Sequence, residues 1–440
     1  MEKNIIHGFS KLSKEEKLKF VAEQMADPHA YTQEIKSFWH PDRQELFDDI
    51  SENTISNYYL PYSVAPNFII NGRTYHVPMV TEESSVVAAA SNNAKLWSRR
   101  GGYHTRVLST RKIGQVHFIW EGTIQRLNAQ LPKVIPLFKE RTRHITRNME
   151  KRGGGIIGYE FVDMTRHIPY YYQLKVTFET VDSMGANFMN SCLEECGMVM
   201  RDFFCGCAGF EKHERNCSII MSILSNYTPD CLVESYVETD IRHFENIHRN
   251  LSAKEFVWRF EKAVQMADAD PYRATTHNKG IYNGIDAVAM ATGNDFRAIE
   301  SSGHAYAAKD GRYRSLTRLE CEGNTFRYIL TVPLAMGTVG GLTKLHPLAR
   351  RSLELLGNPN AQELMQIAAA VGLANNFAAV RSLVTEGIQF GHMKMHLMNV
   401  LNFHNATDVE KEHAVTHFKS HRISYNTVTE FIEQLRTKTA

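Results

Sequence analysis

The sequence lacks a strong excess of charge of either sign. Its 440 residues include 50 lysines and arginines against 48 aspartates and glutamates, which gives a formal net charge of +2. Proteins that bind nucleic acid or acidic membranes through general electrostatic attraction carry a basic excess. The composition therefore predicts neither partner, and a small polyanionic ligand would need its own local basic site.

Long hydrophobic runs are also missing. No apolar stretch of the sequence approaches the roughly 20 residues that span a bilayer, and the opening MEKNIIHGFSKLSKEEK has no hydrophobic block of the kind found in signal peptides. We therefore expect a cytoplasmic protein without a membrane segment. With 43% hydrophobic residues, the chain is long enough for two or three domains and a large core.

Cysteines are few and lack the spacing of a metal site. The seven cysteines fit reduced thiols better than a disulfide framework. Five of them lie between Cys192 and Cys217, with His213 among them, but no pair of C-x-x-C knuckles is present. Because Cys192 and Cys196 are four residues apart, we interpret them as one buried face of a helix. We expect no bound metal.

Two candidate nucleotide-binding segments lack the common fingerprints. The D-x-M-G-A-N-x-x-N motif that begins at Asp182 is not G-x-G-x-x-G, and no G-K-[ST] follows Gly337, Gly340 and Gly341. The alternation of apolar and polar residues over 170–178 predicts a strand with one solvent-exposed face. The segment that follows is VDSMGANFMNSCLEECG, which predicts a tight turn at Gly185 and then a helix. Such a helix start can bind a phosphate, and a purely structural turn is the alternative. We infer no Rossmann fold.

Candidate catalytic side chains occur in two stretches. Asn71-Gly72 between apolar runs predicts a β-hairpin, whose second strand leads into Glu83 and a helix. From Pro271 to Ala308, Lys279 and Asp295 lie among small residues that pack poorly but allow close backbone approach. They suggest a fixed cation tuned by a carboxylate. Each stretch also has a structural alternative. Glu83 can be a carboxylate that stabilises the positive end of a helix dipole, and Lys279 and Asp295 can belong to a solvated helical face with ion pairs.

These motifs resemble one known family. THNKGIYNGIDAV and ATGNDFRAIE are similar to the catalytic segment of class II 3-hydroxy-3-methylglutaryl-CoA reductases, and NFIINGRTYHVPM, DSMGANFMN and GHM match other segments of that family in the same order. The resemblance covers nearly the whole chain. It implies conversion of hydroxymethylglutaryl-CoA to mevalonate and coenzyme A by two hydride transfers from NAD(P)H. Three positions depart from the family pattern: Ser56, Ser84 and Asn375.

The resemblance implies four catalytic residues, and each has a chemical reason. Lys279 would stabilise the oxyanion that forms when hydride attacks the thioester carbonyl. His392 would protonate the departing thiolate. Glu83 would give a proton to the intermediate aldehyde, and Asp295 would join Lys279 and Glu83 in one hydrogen-bonded network.

The resemblance also implies binding residues. Those for substrate and coenzyme A are Ser85, Arg273, Asn283, Asn375 and Lys11. Those in the cofactor neighbourhood are Asp182, Met184, Gly185, Ala186, Asn187 and Asn190. NAD-using relatives carry an aspartate where this chain has Thr146, which lies between Arg143 and Arg147. We therefore predict that NADPH is preferred, with NADH as the possible substitute, because arginine suits a 2′-phosphate.

For the fold, the resemblance implies a large mixed α/β domain interrupted by a small, non-Rossmann, ferredoxin-like dinucleotide-binding domain. The expected boundaries are 1–110 and 217–387 for the large domain, 111–216 for the small domain and 388–440 for a C-terminal helical flap. The family forms homodimers with active sites at the subunit interface, sometimes assembled further into higher oligomers.

Two other functions remain open on the sequence alone. The same site can run in reverse, with NAD-dependent oxidation of mevalonate for catabolism. A non-catalytic acyl-CoA-binding protein with the same fold is the second alternative, since Ser56, Ser84 and Asn375 are altered. Cofactor preference and turnover separate these three functions.

Overall fold

The protein is described from a computed structural model, in which residues 5–385, 387, 397–418, 421 and 423–439 are described. The chain divides into two compact units, Met1–Pro61 and Tyr62–Ala440. The predicted domain boundaries at 110, 216 and 387 remain predictions.

The first unit contains short helices, and the first two α-helices have side-chain caps at their starts. The spacing of Ser13 and Glu16 predicts a capping box, which is confirmed, since Ser13 Oγ accepts from Glu16 N and the Glu16 carboxylate accepts from Ser13 N. The apolar pattern predicts a helix to about Met25, but the helix ends at Ala22, and the carboxylate of Asp27 caps the next helix. The helices are α1 (Lys14–Ala22), α2 (Pro28–Ser37) and α3 (Gln44–Asp48).

The second unit contains three antiparallel sheets. Their strand orders are β1-β2, β3-β8-β10-β9 and β5-β6-β4-β7. The strands are β1 (Tyr62–Ile70), β2 (Arg73–Val80), β3 (His104–Val107), β4 (Lys112–Trp120), β5 (Gly155–Asp163), β6 (Tyr171–Glu179), β7 (Cys217–Leu224), β8 (Leu232–Asp240), β9 (Thr317–Glu322) and β10 (Thr325–Pro333). The predicted hairpin is confirmed, with Asn71 and Gly72 both at positive φ in the turn between β1 and β2.

Helices surround these sheets. They are α4 (Ser84–Ser98), α5 (Ile124–Glu150), α6 (Ala186–Gly206), α7 (Ala253–Ala269), α8 (Pro271–Ala291), α9 (Phe296–Ala307), α10 (Leu342–Leu345), α11 (Pro347–Leu355) and α12 (Ala361–Val384). The largest core cluster joins α8 and α12 to α4, α7 and the sheet that contains β8 and β10. This cluster fixes the position of α8, which carries Lys279.

The sheet β5-β6-β4-β7 forms a separate layer with α5 and α6, and this layer has its own hydrophobic cluster. Its element order is β-α-β-β-α-β. The predicted strand corresponds to β6, and the predicted turn at Gly185 leads directly into α6. The expected range 217–387 for the large domain includes Ile219 to Leu224, but this segment lies in β7 and pairs with β4 of the small layer.

Helix α12 corrects the expectation that no segment is long and apolar enough to cross a membrane. It is 24 residues long, and an 18-residue window has a mean hydropathy of 1.4. Of that window, 72% is buried inside the protein. The helix packs against α8, α4, α7 and β8, so its apolar surface belongs to the core.

The C-terminal region contains residues 397–403 and the helices Asp408–His417 and Tyr425–Thr439, all helical as the sequence pattern predicts. Their apolar side chains form a third cluster that includes Leu401, Ala414 and Val428. The predicted catalytic His392 lies outside the described residues.

Candidate active site

Glu83 and Lys279 form an ion pair at the surface of the second unit. Glu83 is the N-cap residue of α4 and follows β2, whereas Lys279 lies on α8. Lys279 Nζ lies 3.4 Å from Glu83 Oε2, and Ser85 Oγ donates a hydrogen bond to Glu83 Oε1. The Lys279 side chain is 62% exposed. In a single chain, this ammonium is therefore largely in contact with solvent.

A cavity of about 360 Å³ opens beside this pair. It includes three of the residues predicted to bind substrate: Ser85, Asn283 and Asn375. Its wall is formed by α4, α8 and α12. The lining residues are Glu83, Ser85, Val86, Ala88, Ala89, Asn92, Asn93, Thr276, Lys279, Gly280, Asn283, Asn375, Ala378, Ala379, Arg381 and Ser382.

Close packing of α8 on α12 holds Asn375 in this wall. A Cβ on Gly284 would come within 2.7 Å of Val371 O and 2.8 Å of Asn375 Nδ2, so only glycine permits this approach. Asn375 is 5% exposed and donates to Val371 O at 3.3 Å. Its amide is thereby kept close to the α8 face that carries Asn283.

Two arginines have different positions from those expected. Arg273 is half-buried and is not among the residues that line the cavity; its charge acts instead on Tyr328 and His277, and burial lowers its pKa. Arg381 does line the cavity, and burial lowers its pKa as well. Sequence analysis missed Arg381, because the rotation of α12 that brings this residue to the cavity is set by packing.

Asp295 lies apart from the Glu83–Lys279 pair in this chain. It is the N-cap residue of α9, where its Oδ1 accepts from Arg297 N and Ala298 N, and it pairs with Arg297 Nε at 3.1 Å. It lines a second cavity and not the first. The single chain thus brings together two members of the expected network and leaves the third elsewhere.

The second cavity has a volume of about 480 Å³ and lies where the small layer meets the α9 and α10 region. Four of the residues predicted to bind cofactor line it: Met184, Gly185, Ala186 and Asn187. The complete lining is Ile145, Asn148, Met149, Arg152, Ser183, Met184, Gly185, Ala186, Asn187, Phe188, Gly293, Asn294, Asp295, Gly337, Val339, Gly340, Gly341, Leu342 and Thr343.

Glycines shape the wall of this cavity. Gly185 has φ +85°, and a Cβ there would come within 2.5 Å of Thr180 Cγ2. A Cβ on Gly337 would lie 2.6 Å from Met184 N. The backbone at Met184 and Gly185 therefore approaches the loop after β10 closely and leaves the start of α6 open to the cavity.

Two residues assigned to the cofactor neighbourhood make hydrogen bonds within the protein. Asp182 Oδ1 accepts from Ala361 N at the start of α12, at 2.9 Å. Asn190 Oδ1 accepts from Leu224 N at the end of β7, also at 2.9 Å. Neither lines the cavity. Both hold the segment that contains the turn at Gly185 in place.

A buried cation that sequence analysis missed supports the same turn. Lys112 is 5% exposed, and its Nζ donates to Thr180 Oγ1 at 2.5 Å, Ser183 O at 2.9 Å and Met184 O at 3.2 Å. Burial lowers the pKa of Lys112. No local sequence pattern identifies this role, because Lys112 lies about 70 residues before the oxygens that it contacts.

The residues predicted to select NADPH lie on α5 but do not line the second cavity. Thr146 is 3% exposed and packs inside the small layer, whereas Arg143 and Arg147 are exposed. The residues from this part of the chain that do line the second cavity include Asn148 and Arg152.

Lys11, which was predicted to bind coenzyme A, is exposed in the first unit, at the end of a short 3-10 helix.

The cysteines pack as small hydrophobic residues. Cys192 and Cys196 are fully buried in the core of the small layer, as the helical spacing predicted. Burial raises the pKa of Cys192 to about 12, so its thiol stays protonated at neutral pH. Within the described ranges, no three His, Cys, Asp or Glu side chains cluster closely enough to hold a metal ion.

The fold and the two cavities define a class of enzyme. One cavity has an ammonium beside a carboxylate, the arrangement that stabilises a developing oxyanion and supplies a proton. The other opens onto a helix N-terminus that suits a phosphate-bearing cofactor. Together they have the features of a nucleotide-dependent oxidoreductase.

Comparison with known proteins identifies the family. The model of the hydroxymethylglutaryl-coenzyme A reductase family matches residues 13–397. The 3-hydroxy-3-methylglutaryl-coenzyme A reductase of Archaeoglobus fulgidus is 36% identical over 98% of this chain and 95% of its own length. A probable reductase of Borreliella burgdorferi is 32% identical over 92% and 91%. The chain belongs to the hydroxymethylglutaryl-CoA reductase family.

Solved structures agree with this assignment. The class II reductase of Streptococcus pneumoniae bound to NADPH in open conformations is 34% identical, with a TM-score of 0.70, over 86% of this chain and 99% of that one. A second structure of the Streptococcus pneumoniae enzyme has a TM-score of 0.71 at 33% identity and covers 98% of this chain and 99% of that one. The similarity to class II reductases predicted from the motifs is thereby confirmed.

Proposed function

We propose that this protein reduces 3-hydroxy-3-methylglutaryl-CoA to mevalonate and coenzyme A, a step of isoprenoid biosynthesis by the mevalonate pathway. The observation that carries the proposal is the Glu83–Lys279 pair beside a cavity lined by Ser85, Asn283 and Asn375. The family match over residues 13–397 supports the same reaction. Two molecules of NAD(P)H, bound one after the other, would supply one hydride each, the first to the thioester carbonyl and the second to the aldehyde.

The residues of the chain supply charge and protons. The Lys279 ammonium stabilises the negative oxygen that forms as the carbonyl is reduced. Glu83, which accepts from Ser85 and lies beside Lys279, gives the proton that the aldehyde oxygen needs in the second reduction. His392 protonates the sulfur as coenzyme A leaves.

The free carboxylate of the substrate needs a cation. Family resemblance assigns Arg273, whereas Arg381 lines the cavity. A guanidinium pairs well with a carboxylate in two parallel hydrogen bonds. Comparing the KM for hydroxymethylglutaryl-CoA in Arg273→Ala and Arg381→Ala identifies the partner, since loss of a charged hydrogen bond raises KM by about tenfold or more.

We propose a homodimer with active sites between subunits. Two features support it: the Lys279 ammonium is 62% exposed in a single chain, and Asp295 is separated from it. A second chain that supplies Asp295 would complete the network and remove Lys279 from solvent. Sedimentation measures the assembly, and a monomeric active enzyme contradicts the proposal.

Mixing two inactive variants tests the shared site directly. In a hybrid of Lys279→Ala and Asp295→Ala chains, one site carries both substitutions and the other carries neither. Refolding the two variants together should therefore restore activity that neither variant has alone. If the residues of one chain formed each site, every site in the mixture would be defective and activity would stay absent.

We propose that the small layer, with its β-α-β-β-α-β order, is a ferredoxin-like dinucleotide-binding domain and that NADPH is the preferred cofactor. The second cavity fits such a ligand because Gly185 and Gly337 leave room for it at the start of α6. The C-terminal helices then form the flap that carries His392.

One assay tests the reaction. Nicotinamide absorbance is followed with hydroxymethylglutaryl-CoA and either NADPH or NADH, and mevalonate is identified among the products. Oxidation of the cofactor that depends on the thioester supports the proposal. Absence of turnover with both cofactors contradicts it and favours a non-catalytic acyl-CoA-binding protein. Turnover only from mevalonate, coenzyme A and NAD favours the catabolic direction.

A further inference from the structure

The C-terminal end of α5 and the turn after it face the second cavity. The residues from this segment that line the cavity are Ile145, Asn148 and Met149 on α5 and Arg152, two residues after its end. Among the described residues that line the cavity, Arg152 is the cation and Asp295 is the carboxylate. Asp295 is paired with Arg297. The charge of Arg152 is therefore not neutralised by the carboxylate of its own cavity.

The Arg152 guanidinium makes weak contacts. Nε donates to Asn148 O at 3.3 Å, and Nη2 lies 3.6 Å from Met149 Sδ. Within the described part of the chain, no carboxylate lies within 4.0 Å of Arg152, whereas Arg141 on α5 pairs with Glu195 at 2.5 Å. Arg152 thus keeps donors for a ligand, in the planar arrangement that matches two oxygens of a phosphate.

A second positive feature lies on another wall of the cavity. Helix α6 begins at Ala186, directly after Gly185, and Ala186, Asn187 and Phe188 line the cavity. The first N–H groups of a helix have no partner within the helix, and the dipole adds positive potential there. Arg152 and the start of α6 belong to different elements. The cavity therefore suits a ligand that carries phosphate at two separate places.

We propose that Arg152 binds the 2′-phosphate of NADPH and thereby sets the preference of this enzyme for NADPH over NADH. The inference rests on the proposed function and names the residue responsible for one part of it. The start of α6 takes the pyrophosphate, which both cofactors possess. The 2′-phosphate is the group that distinguishes them, and an arginine near the ribose accommodates it. Arg143 and Arg147 do not line the cavity.

Binding of cofactor fragments tests Arg152 without any turnover. Calorimetry is carried out with 2′,5′-ADP and with 5′-AMP on the full chain as wild type, Arg152→Ala, Arg152→Lys and Arg147→Ala. Arg152→Ala should weaken 2′,5′-ADP binding by about tenfold or more, because a charged hydrogen bond is lost, and should leave 5′-AMP binding unchanged. Arg152→Lys should be intermediate, since lysine keeps the charge without the planar geometry. Arg147→Ala is the matched control and should bind both fragments as the wild type does.

Kinetics give the second readout. In Arg152→Ala, the ratio of kcat/KM with NADPH to kcat/KM with NADH should fall by about tenfold or more, while kcat/KM with NADH stays near the wild-type value and shows that the variant is folded. Equal losses with both cofactors would assign Arg152 to general positioning and overturn the inference. The inference would also be overturned if the wild-type protein bound 2′,5′-ADP no more tightly than 5′-AMP.

Failure of the inference and failure of the proposed function give different results. If the enzyme reduces hydroxymethylglutaryl-CoA but the ratio of kcat/KM with NADPH to kcat/KM with NADH is the same in wild type and Arg152→Ala, the proposed function stands and the role of Arg152 is wrong. If the protein binds 2′,5′-ADP through Arg152 but does not reduce the thioester, the role of Arg152 stands and the proposed function is wrong.

Discussion

Lys279 Nζ lies 3.4 Å from Glu83 Oε2, although 196 residues separate the two in sequence. The contact forms because the hairpin β1-β2 packs on α8 and delivers the start of α4 to the helix that carries Lys279. The pair therefore depends on the tertiary fold, and each member can be replaced without disturbing a buried core.

Replacing Lys279 by alanine should lower kcat for hydroxymethylglutaryl-CoA reduction by about 10²–10³, the usual effect of losing an oxyanion-stabilising group. Stability should change little, because the Lys279 side chain is 62% exposed. Lys254→Ala is the control, since Lys254 is an exposed lysine on α7. Steady-state kinetics decide the matter, and a variant with the wild-type rate would remove Lys279 from the chemistry.

Replacing Glu83 by glutamine should abolish its role as proton donor while keeping an oxygen that Ser85 can reach. We expect the reduction of free mevaldehyde to slow by about 10²-fold or more. The overall reduction of hydroxymethylglutaryl-CoA should slow as well, because the aldehyde is its intermediate. Glu82→Gln is the matched control, because Glu82 is the exposed neighbouring carboxylate. Normal mevaldehyde reduction by Glu83→Gln would assign the proton to another group.

Lys112→Met should act on cofactor binding through the turn at Met184. The change leaves the carbonyls of Ser183 and Met184 without their buried donor, so we expect KM for NADPH to rise by about fivefold or more. At saturating NADPH, kcat should change much less, because Lys112 is not among the residues that line either cavity. A fall in kcat at unchanged KM would contradict a positioning role.

His277 should make stability depend on pH. Burial lowers its pKa to about 3 from 6.5, so the folded protein keeps His277 neutral while the unfolded chain takes up a proton below pH 6.5. The free energy of unfolding is therefore unaffected by the titration of His277 above pH 6.5. Between pH 6.5 and pH 3 it falls by about 1.4 kcal/mol for each pH unit, because the unfolded chain binds the proton and the folded protein does not. Urea unfolding at pH 7.5 and 5.5 measures it.

The control for that experiment is His277→Gln. This variant has no imidazole to titrate, so its free energy of unfolding should fall less than that of the wild type between the two pH values. The difference should be about 1 kcal/mol at pH 5.5. Identical pH dependence in the two proteins would show that His277 is not kept neutral by the fold.

Local patterns in the sequence predicted local structure well. The Asn71-Gly72 turn, the capping box at Ser13 and the glycine before α6 all depend on residues within a few positions of each other, and all three are observed. Their physical causes are positive φ, side-chain capping and backbone close approach. Such causes are visible in a single sequence.

Contacts between distant segments were beyond the reach of those patterns. Arg381 and Arg152 line the cavities because of how α12 and the end of α5 are oriented in the fold, and packing sets these orientations. Counting from a family motif led instead to Thr146, whose side chain points into the small layer. A one-residue change on a helix turns a side chain by about 100°, so such counting is fragile.

Asp182 accepts from the first N–H of α12, and Asn375 and Arg381 lie on the same helix further along. Helix α12 runs without interruption for 24 residues, roughly 36 Å. We therefore expect a displacement of the segment at Asp182 to move the start of α12, and with it the part of the helix that carries Asn375 and Arg381. Binding in the second cavity would then alter the shape of the first, although the two cavities are separate.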